Sequence, residues 1–432
     1  MTQLIACGVG QCGVQMASSF TETYMKEAQN YVDQDAFHRL FYETSDHQYI
    51  ARTVLIDTER KAITDILSDK FATRNWKYDK CSIWAEGCGS GNNWAYGYDK
   101  NGFAAKNEVM DRLQHQAEKC DRFGGFLFFQ SLGGGTGSGL GSRITECVRD
   151  TFGPRAQIVN NVVWPYTFGG VMVQNYNSVL SLAALIKNSD AVVVTYNDTL
   201  HAICAAQKGP ENVTLADMND VFSRNLAGLL LPSYELCTVP IWSQPLSHLV
   251  QIPTRRLLHI FGYPIESDVA HGFSNYNWSS LIDNVLSMVA TGNFVGRSIR
   301  QIRSIIDPRR QLPIKKCDAI WTVFRGIETN QAKQYMLNHD IMKCQHFFPA
   351  DNDDPLLVST STRKFLGYDQ YTTVMANSQV IIDPLEDLLQ KFHNMIETGA
   401  YIHQYLDTGM EKSKLQEDKL FLEQVLFDYK TM

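Results

Sequence analysis

The chain has 432 residues, 44% apolar and 20% charged, the make-up of a globular protein with a large core, and at roughly 150 residues per domain its length predicts two or three domains. Against 39 basic residues stand 46 acidic ones, a net charge of −7, which argues against a nucleic-acid partner. No apolar run reaches the ~18 residues of a membrane span; the opening MTQLIACGVG has no basic region before its short apolar run, and none of the ten cysteines forms a CxxC pair, so a soluble, cytoplasmic protein with reduced packing cysteines is expected.

In chain order, QLIAC (Gln3–Cys7) predicts a buried strand, followed by a helix from about Gln11 to Ala28. TVLID (Thr53–Asp57) is a second strand, ending in an acid; GGFLFFQS (Gly124–Ser131) is a third, QIVNNVVW (Gln157–Trp164) a fourth and AVVVTYN (Ala191–Asn197) a fifth. Continuous apolar strands separated by helices predict a parallel sheet covered on both faces. Thr214 with Asp217 makes a capping-box start for a long helix with Leu215, Met218, Phe222, Leu226 and Leu229 at spacings of three or four. A proline-punctuated stretch from Pro232 to Pro264 reads as a boundary, and a mixed α/β region with AIWTVFRG as a strand follows. The end is helical: PLEDLLQKF starts on Pro384, suited to a first turn, and KLQEDKLFLEQVLFDY is a second amphipathic run.

Ligands of such sheets bind where loops leave the carboxyl ends of the strands. Gly8–Gly13, Asp57–Glu59, Gly133–Gly139, Trp164–Gly170 and Asn197 all occupy that position. LGGGTGSGLG (Leu132–Gly141) packs six glycines into ten residues with no charged residue among them. It lacks the Lys-Ser or Lys-Thr of a Walker loop, so anion binding there rests on backbone N–H groups, the Thr136 and Ser138 hydroxyls and a helix N-terminus near Gly137. The bland alternative is a turn that only lets a helix pack close to a strand. A second alternative comes from GVGQCG: Gly8, Gly10 and Gly13 have dinucleotide-fingerprint spacing, with Asp33 twenty residues on, though NYVDQDAFH does not look like a strand end.

Taken together, GGGTGSG (Gly133–Gly139), GQCG (Gly10–Gly13), GSGNNWAYG (Gly89–Gly97) and Cys120–Asp121 before the third strand resemble the tubulin family, in order and at matching spacing. NNWAYGY, VQNYNS and AYIHQY resemble its divergent delta branch most, and zeta and epsilon types share much of the pattern. The resemblance implies an α/β fold: a doubly wound parallel-sheet GTP-binding domain over 1–213, a core helix over 214–231, a mixed α/β intermediate domain over 232–370 and a C-terminal region ending in helices over 371–432. It also implies GTP or GDP with Mg²⁺. Gly10, Gln11, Cys12, Ser90, Gly91, Asn92, Gly133, Gly134, Gly135, Thr136, Gly137 and Ser138 would line the nucleotide. Asp57 and Glu59 would hold Mg²⁺ through water, which suits that ion's retained hydration; on residue type alone they are equally two surface acids at a strand end. Asn197 and Asn219 would read guanine, whose donors and acceptor match an amide, although asparagine is as often a helix cap. Partners implied are other tubulins at longitudinal contacts and centriolar proteins, with a cytoskeletal place at the centriole, basal body or cilium.

The chain departs from the pattern in places. Leu215 stands where tubulins stack an aromatic ring on the base, and Gly170 and Gln174 stand where polymer-forming tubulins carry acids near the ribose. No Asp or Glu occurs from Leu236 to Ile265, where alpha-type subunits supply an acid that activates hydrolysis on a neighbour; His248 is the nearest polar candidate. No catalytic residue is therefore assigned, since a general base must reach the attacking water. The sequence ends in FDYKTM without a glutamate-rich tail, so proteins that read such tails would find little here. Arg297–Lys316 holds seven basic residues against one acid, either a solvated face or a contact for an acidic neighbour. Three functions follow: a GTP-binding cytoskeletal subunit with weak or partner-dependent hydrolysis, a nucleotide-locked cap or scaffold of the same fold, and a nicotinamide-dependent oxidoreductase resting on Gly8, Gly10 and Gly13.

Overall fold

A computed structural model describes residues 2–31, 35–68, 74–87, 89–233, 242–265, 276–293, 314–344, 346–349, 352 and 354–432. They form two compact units: Met1–Glu22, Gln34–Asn197 and Asp383–Phe427 make the first, and Thr23–Asp33, Asp198–Ile382 and Asp428–Met432 the second.

Strands β1 (Gln3–Val9), β2 (Thr53–Asp57), β3 (Ile83–Ala85), β4 (Phe123–Ser131), β5 (Gln157–Trp164) and β6 (Ala191–Tyr196) build the sheet of the first unit. Their spatial order is β6-β5-β4-β1-β2-β3, and every neighbouring pair is parallel. The chain therefore winds outward in one direction from β1 and in the other from β4. The crevice between the carboxyl ends of β1 and β4 is the switch point, the place where an open α/β sheet binds its ligand. β1 is buried along its whole length, which explains why it reads as an unbroken apolar run rather than an alternating one.

Helices α1 (Gly10–Ala28), α2 (Gly102–Glu118), α3 (Gly141–Phe152) and α4 (Gln174–Asn188) follow in this unit. Val109 and Leu113 of α2 and Ile144 and Val148 of α3 join Ile5, Val54, Phe126 and Ile158 in one core. Close packing sets one glycine: a Cβ on Gly13 would lie 2.0 Å from the Phe129 carbonyl oxygen, so α1 sits against β4 only because that position has none. The expected strands are all present. Asn197, expected at a strand end, is instead the first residue of α5 (Asn197–Lys208). The three-residue β3 had no expectation, because so short a segment carries no periodicity. A small separate sheet joins Phe41–Glu43, Tyr49–Ala51 and Trp76–Tyr78.

In the second unit, α6 (Leu215–Leu230) starts on the expected capping box. The Asp217 N–H donates to Thr214 Oγ1 at 3.3 Å, and the Thr214 N–H donates to the Asp217 carboxylate at 2.9 Å. Strands β7 (Leu257–Tyr263), β8 (Cys317–Gly326), β9 (Leu356–Ser361) and β10 (Gln370–Ser378) pair in the order β9-β8-β10-β7. β8 and β9 are parallel, and β10 runs antiparallel to both β8 and β7. The helix α7 (Trp278–Thr291) buries Leu281, Val285 and Val289 against Ile320, Phe324 and Val374. The basic run from Arg297 lies outside the described residues up to 313; of its last two members, Lys316 donates to the Met432 carbonyl at 2.7 Å. The C-terminal helices run Ile382–Thr398, His403–Leu406 and Lys412–Lys430. Among the described residues no helix is long and apolar enough to cross a membrane.

Candidate functional site

Two glycine turns meet at the switch point. Gly10, directly after β1, has φ +70°, and a Cβ there would lie 2.7 Å from the Gly137 nitrogen. The backbone of the β1–α1 turn thus rests on the backbone of the loop after β4, and a side chain at position 10 would separate them. The dinucleotide-type spacing of Gly8, Gly10 and Gly13 is accounted for by this contact and by the α1–β4 packing. Asp33, the acid that reading needed, lies outside the described residues.

Three hydroxyls close the same place. Thr136 Oγ1 is 2.7 Å from Thr58 Oγ1 and 2.9 Å from Ser90 Oγ. Asn101 Nδ2 donates to Ser90 Oγ at 2.8 Å and to the Gly89 carbonyl at 3.2 Å. Ser138 donates to the Gly134 carbonyl within the loop, and Ser142 donates to the Ser138 carbonyl at 2.6 Å. The loop after β4 is also pressed onto the 90–93 segment, since a Cβ on Gly135 would lie 2.7 Å from the Ser90 Cβ. Gly91 and Asn92 form an exposed left-handed turn, at φ +54° and +53°. A Cβ on Gly133 would touch Pro165 at 3.1 Å, which brings the loop after β5 to the same edge.

Asp57 ends β2 and is buried. Its Oδ1 accepts only a long 3.4 Å bond from the Glu59 N–H, and Oδ2 has no hydrogen-bond partner among the described residues. Burial pushes its pKa up from 3.8 to about 6, with the Glu59 and Thr58 N–H groups opposing. A buried carboxylate left this way costs free energy unless a cation or donor meets it. Glu59 is exposed, with Oε1 2.8 Å from where a Gly89 Cβ would stand. No group of three or more His, Cys, Asp or Glu able to hold a metal occurs among the described residues. A divalent cation at Asp57 and Glu59 would therefore keep most of its shell from water or from a ligand's oxygens, the habit of Mg²⁺. The orphaned Asp57 oxygen and the glycine cradle both fit an anionic ligand with its metal.

Gln11 is exposed and Cys12 half-buried at the start of α1. Burial pushes the Cys12 thiol up to about 12, so it is a neutral contact surface and no nucleophile. Asn197 stands half-buried where β6 gives way to α5. Leu215, 56% exposed, and the half-buried Asn219 lie on the first turns of α6, in the second unit. Gln174 braces its own loop by donating to the Tyr166 carbonyl at 3.0 Å. His248 is occupied structurally, 3.2 Å from the Ile320 carbonyl oxygen, and residues 236–241 of the acid-free stretch lie outside the described residues.

Sequence reasoning missed Thr58, Asn101, Asn177 and Tyr405, the last two described further below. Thr58 had a signal, standing between two residues already assigned to the site. Asn177 and Tyr405 lie in the VQNYNS and AYIHQY runs that carry the family resemblance, but neither these runs nor the sequence around Asn101 showed the contacts, whose partners lie elsewhere in the chain.

Comparisons with known proteins bear on the family of the chain. Residues 3–205 match the family model "Tubulin/FtsZ family, GTPase domain". The chain is 30% identical to the "Tubulin delta chain" of Canis lupus familiaris, over 99% of both chains. It is likewise 30% identical to the "Tubulin delta chain" of Mus musculus, over 99% of this chain and 98% of that one. The "Tubulin beta-6 chain" of Gallus gallus is 26% identical, over 96% of this chain and 92% of its own.

Proposed function

This chain belongs to the tubulin family, and from that premise we propose that it is a GTP- and GDP-binding cytoskeletal subunit whose phosphate half is the cradle at the β1/β4 switch point. The observation that carries the proposal is the meeting of five strand-end segments there. Gly10 lies on Gly137, Thr58 and Ser90 on Thr136, and Pro165 against Gly133. Gly10, Gln11, Cys12, Ser90, Gly91, Asn92 and the run Gly133–Ser138 surround the phosphates. Their N–H and hydroxyl donors replace a lysine, as backbone nests do for other anions. Asp57 and Glu59 hold Mg²⁺ mainly through water. A cation held there would supply positive charge against the phosphates, with Asp57 and Glu59 as the residues that would hold it. By the family pattern Asn197 and Asn219 read guanine, and Leu215 offers the base apolar contact in place of stacking.

The acid-free run from Leu236 to Ile265 supports weak or partner-dependent hydrolysis: this subunit brings a neighbour no carboxylate from that stretch, and its own GTP waits for a partner's. The partners are other tubulins at longitudinal contacts together with centriolar proteins, and the role is organisation of centriole or basal-body microtubules, by resemblance to the delta branch. The same acid-free run favours one rival, a nucleotide-locked scaffold. The matched family replaces the oxidoreductase reading.

The test is to denature the purified protein and identify the released nucleotide by chromatography. GTP or GDP is expected, and a nicotinamide dinucleotide would overturn the proposal. Turnover measured alone and with alpha/beta-tubulin then separates the remaining possibilities. Slow turnover that rises with the partner supports the proposal, fast turnover by the isolated chain contradicts it, and nucleotide that never exchanges or reacts supports the scaffold.

A further inference from the structure

One buried amide is tied to the cradle from outside it. Asn177, on α4, is fully buried, and all four of its hydrogen-bonding positions are used. Its Nδ2 donates to the Asn92 carbonyl at 2.8 Å and to the Gly133 carbonyl at 2.9 Å. Its Oδ1 accepts the Trp94 N–H at 2.9 Å and the Tyr405 hydroxyl at 2.5 Å. An amide has two donors and one two-lone-pair acceptor, so the side chain has no capacity left. It joins the 92–94 turn, the loop after β4, α4 and the C-terminal segment, all within the first unit.

We propose that Asn177, oriented by Tyr405, is a positioning residue for the phosphate cradle, which makes the 400–405 segment part of the nucleotide-binding apparatus. The inference rests on the proposed GTP-binding role of that cradle. The carbonyl and N–H of a trans peptide point in opposite directions. Drawing the Gly133 carbonyl toward Asn177 therefore turns the Gly134 N–H the other way, and glycine alone would leave that peptide free to rotate. Tyr405 is itself buried, its ring 5.0 Å from that of Tyr176. Burial raises its hydroxyl pKa, so it stays protonated and donates to the Asn177 oxygen, whose side of the amide is fixed by the donor-only Trp94 N–H and the acceptor-only Asn92 and Gly133 carbonyls. Two further struts run the same way: Asn93 Nδ2 donates to the Gln404 carbonyl at 2.9 Å, and the Tyr176 hydroxyl donates to the Ala400 carbonyl at 3.0 Å.

Two variants of the full chain test this. Asn177→Asp keeps shape and the acceptor but loses both donors, placing a carboxylate against two carbonyl oxygens. Tyr405→Phe keeps the ring and removes only the hydroxyl, and it serves if the first variant does not fold. Affinities for GTP and GMP are measured by calorimetry on nucleotide-stripped protein. Asn177→Asp is expected to weaken GTP about tenfold or more, the size of one to two lost hydrogen bonds, with GMP much less affected. Lowering the pH should restore part of the loss in that variant alone, because a protonated acid donates again. Tyr405→Phe should reduce the GTP-to-GMP affinity ratio in the same sense, about threefold. Equal losses for GTP and GMP, or no loss, would overturn the inference while leaving GTP binding intact. A wild-type chain that binds no guanine nucleotide would overturn the proposed function, and this inference with it.

Discussion

Arg325 of the second unit and Asp57 of the first are both buried ionisable side chains, and they are treated in opposite ways. In the second unit Arg325 is fully buried, and each of its three guanidinium nitrogens donates a hydrogen bond. It donates to the carbonyls of Gly228 at 2.7 Å, Leu231 at 2.6 Å and Pro232 at 3.1 Å, and to the Tyr31 hydroxyl at 2.9 Å. Those carbonyls belong to the end of α6, which has no intrahelical donors left for them. In the first unit Asp57 is almost as deeply buried, yet one of its oxygens has no hydrogen-bond partner among the described residues and its pKa is displaced to about 6. A buried charge met by partners within the chain is architecture. A buried charge held short of its partners signals something outside the chain that completes it. The contrast sets a stability role for Arg325 against the proposed binding role of Asp57, and each can be broken separately.

The largest effect is expected at Arg325. Arg325→Leu leaves three buried carbonyls without donors, each worth roughly 1–3 kcal/mol, and relaxation recovers part of it. A loss of about 4 kcal/mol, beyond the range of most single substitutions, is expected in urea unfolding of the nucleotide-free chain. A variant as stable as the wild type would remove the distinction between the two residues.

Asp57→Asn should do the reverse. Nucleotide-free protein should lose no stability, while the Mg²⁺-dependent part of GTP affinity falls by about 2 kcal/mol, roughly thirtyfold. The wild-type pH profile sharpens this. Asp57 has a native pKa of about 6 against 3.8, so between those values the folded state binds more protons than the unfolded. Stability of the nucleotide-free protein therefore falls as pH rises from about 4 to about 6 and stays lowered above that, by at most about 3 kcal/mol. In Asp57→Asn, or with GTP and Mg²⁺ bound, that slope should flatten. A steep slope surviving in the variant would assign it to another group.

Legibility in the sequence followed the range of the physics involved. The five long strands were readable because a strand buried on both faces is mostly apolar, as β1 is after Gln3 and as β5 is apart from Gln157 and the buried Asn160 and Asn161. The glycine loops were readable because a dense glycine run is unfavourable unless a backbone approaches it, and Gly10 on Gly137 is that approach. Asp57 was readable as a residue type at a strand end, but its missing partner was not, because burial depends on the whole unit. Asn177 lies in the VQNYNS run that carries the resemblance, but its role was not readable: its partners Gly133, Asn92 and Tyr405 lie 44, 85 and 228 positions away, and no local pattern marks an amide that joins them. Asn197 shows the boundary case, where a strand's apolar run ended one residue before a helix took over.

The smallest effect is expected at Thr58, and it bears most directly on whether Asp57 acts alone. Thr58 lies between the two acids and shares the Thr136 hydroxyl with Ser90. Its hydroxyl thus links the segment that carries Asp57 and Glu59 to the loop after β4. Thr58→Val keeps the β-branched shape but leaves Thr136 with Ser90 as its one hydroxyl neighbour of the pair. One lost hydrogen bond corresponds to about 1 kcal/mol, so GTP affinity should fall about fivefold, and Thr58→Ser should retain most of it. If Asp57 and Thr58 act through one network, the double variant should lose less than the sum of the two single losses. Strict additivity in a double-mutant cycle would mean that the carboxylate and the hydroxyl serve the site independently.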